Sequence, residues 1–124
     1  MNKKVLFARL LLGSTMTIFG LNGFFHFIPM PPLLGNAGQF MAGLGASGYF
    51  FPFLKATEIG CGILLIIGKR VPLALLILAP ILLNIILFHL FLSPEGLILP
   101  LILTALELYL AYNYRKSFEK VLKN

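Results

Sequence analysis

Polar residues are so sparse along this chain that its organisation is read from the places where they interrupt four apolar runs, Val5–Ile28, Tyr49–Gly68, Val71–Leu92 and Leu97–Tyr114. A helix needs about 20 apolar residues to cross the hydrocarbon core of a bilayer. Four such helices in a soluble chain of 124 residues leave almost no polar surface to face water. The pattern predicts an all-α polytopic membrane protein. Its single domain, residues 1–124, is a four-transmembrane-helix up-down-up-down bundle.

The interruptions set the connections. Gly68–Pro72 and Ser93–Gly96 are short turns, which favour antiparallel neighbours. Pro29-Met-Pro-Pro32 stops the first helix, because proline removes a donor and restrains the residue before it. Asn36 then caps a short helix over Ala37–Ala46, uncharged and too short to span. This segment reads as an interfacial helix, a lid over the outer mouth, between helices one and two. Pro52, Pro72 and Pro100 fall in first turns, where a missing N–H costs little. Pro80 falls inside the third run and predicts a kink just before Asn84. Gly13, Thr17 and Gly20 share one face of helix one, and Ala56 and Gly60 one face of helix two; such small faces admit close helix contact.

Composition agrees with a membrane setting: the chain is 59% hydrophobic and 11% charged. On a soluble protein a net charge of +6 points toward nucleic acid, but here the cations cluster at helix ends. Nine of the ten Lys and Arg residues fall on one side of a four-span arrangement, with only Lys55 toward the other. That asymmetry places both termini and the 69–72 turn in the cytoplasm, and the bilayer replaces nucleic acid as the expected partner. The lone Cys61 excludes an intrachain disulfide. The start, Met1-Asn-Lys-Lys before an apolar stretch, has the look of a signal peptide. Its length, the internal Arg9 and the missing small-x-small site argue for a first spanning helix instead.

Polar residues within the runs are the candidate chemistry. At a rise of about 1.5 Å per residue, His26 and His89 lie roughly 3–5 Å from the outer ends of helices one and three. On the same scale Asn22, Lys55, Glu58 and Asn84 lie roughly 9–14 Å in. Pointed at one another, these six form a polar chamber in the outer half of the bundle. The chamber is either a ligand site or a hydrogen-bonded network that fixes helix register. Arg9 and Glu107, nearer the inner side, are expected to make a structural ion pair. Tyr109, Tyr112 and Tyr114 read as an inner interfacial belt. Phe24, Phe25, Phe27, Tyr49, Phe50, Phe51 and Phe53 ring the outer mouth, as anchors or as a stacking wall for a planar ligand. Haem or a metal ranks behind an organic ligand: no second acidic residue completes a di-metal site and no CxxCH is present, so no metal-binding residue is assigned.

Arg9-Leu-Leu-Leu-Gly13, Gly20-Leu-Asn22, His26-Phe-Ile-Pro29, Gly48-Tyr49-Phe50, Glu58-Ile-Gly60, Asn84 through His89, and Glu107-Leu-Tyr109 with Tyr112 together resemble the DoxX-like membrane proteins, in order and spacing, over nearly the whole chain. The resemblance implies a small four-helix protein of the bacterial inner membrane, linked to thiosulfate:quinone oxidoreduction or placed near redox-defence complexes. The chain is also similar to an animal endoplasmic-reticulum protein that assists receptor assembly. Two functions follow as expectations. One is a redox-associated subunit that holds a quinone or similar apolar ligand through Asn22, His26, Lys55, Glu58, Asn84 and His89, with Glu58 as proton relay and electrons from a partner protein. The other is a non-enzymatic assembly module, homodimeric or bound to a partner, whose polar core is structural.

Overall fold

A computed structural model describes residues 2–30 and 32–123. Met1, Pro31 and Asn124 lie outside the described residues, and with them one proline of the expected stop and the two extreme ends of the topology assignment. The chain forms α1 (Lys3–Phe25), α2 (Gly35–Ala46), α3 (Phe50–Ile67), α4 (Val71–Phe91), α5 (Ile98–Asn113) and α6 (Arg115–Leu122), with a 3-10 turn at Pro94–Gly96 before α5. No strand occurs among the described residues.

Among the described residues three helices, α1, α3 and α4, are long and apolar enough to cross a membrane. The fourth apolar helix, α5, has 16 residues, about 24 Å at the α-helical rise. Each of these four helices buries one stripe. On α4 it is Val71, Ala74, Leu75, Leu78 and Leu82, the three-and-four spacing of one helical face. On α3 it is Glu58, Cys61, Gly62 and Leu65; on α5, Pro100, Leu103, Glu107 and Leu110. Leu12, Leu65, Leu75, Leu78 and Leu110 are fully enclosed. The opposite faces carry exposed Leu, Ile and Phe such as Phe7, Leu76, Leu83 and Leu108, which suit lipid rather than water.

α1 packs most extensively against α3. The two backbones meet at Gly13 and Gly62, where a Cβ on either glycine would stand 2.7 Å from the other's carbonyl oxygen. The face expected on helix two, Ala56 and Gly60, is exposed instead, and open space surrounds Gly60. Gly62 shares the stripe of Glu58 and Leu65, whereas Gly60 is two residues out of phase with it.

α1 stops at Phe25, before the prolines, because His26 turns left-handed (φ 51°, ψ 43°) and its N–H returns to the Asn22 carbonyl. α2 begins two residues before the expected start. Its N-cap is Leu34, with no side-chain cap, and Asn36 lies inside the helix. Pro80 sits within an unbroken α4. The sequence reading missed α6, whose apolar residues are few. Phe118 packs it onto the core, and the Arg115 guanidinium lies 4.2 Å from the centre of the Tyr112 ring.

Candidate functional site

The end of α1, the start of α3, the end of α4 and the start of α5 surround a cavity of about 320 Å³. Lys55, Glu58 and His89 supply its polar groups, and its apolar wall includes Met16, Phe19, Met30, Met41, Ile85 and Leu103. The expected chamber therefore gathers three of its six residues, and the helical phase decides which.

Lys55 and Glu58 are one turn apart on α3, and Lys55 Nζ donates to Glu58 Oε1 at 3.4 Å. The Glu58 side chain is 3% exposed and the Lys55 side chain 25%, so the carboxylate forms the floor and the ammonium reaches toward the mouth. His89 continues the buried stripe of α4 through Leu82 and Ile85. Its Nδ1 lies 3.1 Å from the Ser93 carbonyl oxygen. A carbonyl only accepts, so Nδ1 carries the proton and Nε2 of the neutral ring keeps a lone pair. The imidazole also stands edge-on to Phe88, with ring centres 5.2 Å apart, and packs against Gly96.

The other three residues serve the backbone. Asn22 is buried, and its Oδ1 accepts from the Ile28 N–H at 2.6 Å, folding the loop that follows α1. His26 is exposed and acts through its left-handed backbone. Asn84 is exposed and returns its amide to the Pro80 carbonyl at 2.9 Å, the carbonyl four residues back. It sits two residues beyond Leu82, on the opposite face from the stripe, so matched depth did not bring it inward. The aromatics expected at the outer mouth are displaced from the cavity too. Phe50 and Phe51 stack edge-on with each other, while Phe19 is the aromatic in the wall. α2 contributes Met41 to the wall and sets Phe40 against Phe88, ring centres 5.9 Å apart.

Sequence reasoning passed over the methionines and Gly96. The signal was present: Met16 falls on the stripe of Leu12 and Gly20. Met30 lies in the loop before α2 and Met41 within α2, so only their nearness in space was hidden.

Toward the other end, the Arg9 guanidinium lies against Gly68, which closes α3 in a left-handed turn. Glu107 is buried and borders a second cleft of about 370 Å³ between α4 and α5, with Ala79, Ile86 and Thr104. Its Oε1 and the Thr104 hydroxyl have no hydrogen-bond partner among the described residues. Among the described residues no cluster of three His, Cys, Asp or Glu side chains could hold a metal ion.

No curated protein and no solved structure matches the chain. The family model described as DoxX matches residues 4–90, which include α1 through nearly all of α4 and so the whole polar lining of the cavity. Together with the apolar helices, this makes the protein an integral membrane protein, and the chain belongs to the DoxX family.

Proposed function

We propose that this DoxX protein is a redox-associated subunit of the bacterial inner membrane that holds a quinone or similar planar apolar ligand in the cavity between α1, α3, α4 and α5. One observation carries the reading: Lys55, Glu58 and His89 converge from two helices on a cavity whose remaining wall is apolar. Such a slot, with a few placed polar groups, suits a flat ligand with polar edges. The polar groups divide by role. Lys55 Nζ has donors beyond the one given to Glu58 and meets a carbonyl oxygen. His89 Nε2, with Nδ1 committed to Ser93, accepts from a hydroxyl. Glu58, at the floor, receives or returns the proton. A quinone supplies two-electron, two-proton exchange, and a partner protein supplies the electrons.

In this reading α5 is the fourth span, the bundle runs up-down-up-down, both termini face the cytoplasm, and α2 lies over the outer mouth.

The test is native purification followed by mass spectrometry and an absorption spectrum, repeated on Glu58→Gln and His89→Phe. A hydrogen bond involving a charged group is worth about 1.5–3 kcal/mol, so each variant is expected to lose roughly tenfold or more in quinone occupancy while staying folded. Stable variants with wild-type quinone content and redox-linked activity overturn the reading.

The rival, an assembly module with a structural polar core, has its own support: Asn22, His26 and Asn84 all serve local backbone geometry. Collapse of both variants together with loss of abundance favours it.

A further inference from the structure

All three internal methionines of the sequence, Met16, Met30 and Met41, line the one cavity that also holds His89. They arrive from separate places: α1, the loop after it, and α2. Leu and Ile dominate the rest of the apolar wall and the core, so packing alone does not require sulfur here. The three are also graded in depth. Met30 is 62% exposed, Met41 is half-buried, and Met16 is 2% exposed. All three border the same cavity as His89.

The geometry points to a site for a soft monovalent cation, copper(I) or its analogue silver(I), held by the thioethers of Met16, Met30 and Met41 and by the imidazole of His89. Three arguments carry it. Thioether sulfur is a soft ligand that selects copper(I) over hard or borderline ions. A metal-binding histidine is typically fixed by a hydrogen bond from its other ring nitrogen to a carbonyl or carboxylate; His89 makes that bond to Ser93 through Nδ1, leaving Nε2 for the ion when the cavity holds no quinone. Charge then chooses the valence. The four donors are neutral, and the Lys55 ammonium beside them is balanced by Glu58 at 3.4 Å. A site of neutral donors with a compensated ion pair tolerates one positive charge far better than two. The thioethers sit on unbranched side chains with three rotatable bonds, so they can close on an ion from the wall of a larger cavity.

Binding is tested on the full chain in detergent, under anaerobic conditions, with silver(I) and with copper(I) buffered by a competing chelator. One ion per chain is expected. With methyl-labelled methionine, the resonances of Met16, Met30 and Met41 are expected to shift together and saturate at that stoichiometry, a readout that needs no substitution. Combined Met16→Leu, Met30→Leu and Met41→Leu keeps the apolar volume and removes the sulfurs. It is expected to weaken silver(I) at least tenfold and to leave zinc(II) unaffected. Met30→Leu with Met41→Leu, both nearer the surface, serves if the triple variant does not fold. Absence of silver(I) binding at micromolar concentration overturns the inference, as does equal affinity in the leucine variants or methyl shifts at only one methionine. Quinone content is measured on the same samples, so loss of the cation site and loss of the quinone reading are seen separately.

Discussion

Asn22 and Asn84 carry the same amide at similar depth and do unlike jobs. The first is buried and holds the Ile28 N–H; the second is exposed and bonds within its own helix. Asn22→Ala leaves the partly buried Ile28 N–H unmet and is expected to cost about 1 kcal/mol or more in unfolding experiments in detergent. Asn84→Ala is expected to change stability by less than about 0.5 kcal/mol. Equal effects would contradict the assigned orientations. The ion pair gives a second residue-scale test. Glu58→Ala strands the Lys55 ammonium beside an apolar wall, and losing one partner of a buried pair costs about 3–5 kcal/mol, less here because Lys55 is partly exposed. Lys55→Met with Glu58→Met is expected to recover much of that loss, since neither charge is then buried alone. At the turn before α5, Glu95 is held below its usual 4.5 by its own backbone N–H and then by the Ser93 hydroxyl, which donates at 2.9 Å. A depressed carboxylate contributes stability above its unfolded pKa and loses it as pH falls through the folded value. Acidification below that range therefore loosens this turn in the wild type, and Glu95→Gln is expected to flatten the pH dependence. Depth along a helix was legible from residue counting. The direction a side chain faces was not, because it depends on the phase of the buried stripe: Glu58 and His89 lie on that phase, and Asn84 does not.

Four apolar helices and their turns follow from the run lengths, since only sustained hydrophobicity and proline or glycine breaks are needed to place them. Helix contacts required more. Ala56 and Gly60 look as apt for close packing as any small pair in the sequence, yet α1 meets α3 at Gly62. Gly62→Ala places a methyl 2.7 Å from the Gly13 carbonyl oxygen and is expected to destabilise by about 1–3 kcal/mol. Gly60→Ala meets open space and removes a flexible residue from a helix, so it is expected to stabilise by about 0.5–1 kcal/mol. Thermal unfolding of both in one detergent decides the matter; a destabilised Gly60→Ala would contradict the stated face. α6 escaped notice for a related reason. A short charged segment carries no run of hydrophobicity, and only the contact of Phe118 with the core marks it as folded.

At the scale of the molecule, the nine-to-one division of cations is an orientation signal that no packing contact duplicates. Reporters fused after Lys123 and in the turn at Lys69–Arg70 are expected inside the cell, and one at Ser47–Gly48 outside. An external C-terminal reporter would overturn the four-span arrangement. The glycine crossing has a consequence for motion. With no side chain between them at that point, α1 and α3 act as one stiff jaw, and Lys55 and Glu58 ride on it. His89 rides on α4, which packs on α3 less extensively, and Met41 rides on α2, which touches α3 more lightly still. Widening of the cavity therefore belongs to α2 and α4 swinging from a fixed wall. Hydrogen exchange is expected to protect α1 and α3 as a unit while α2 opens first, so a guest would come and go past Met41 without disturbing the carboxylate at the floor.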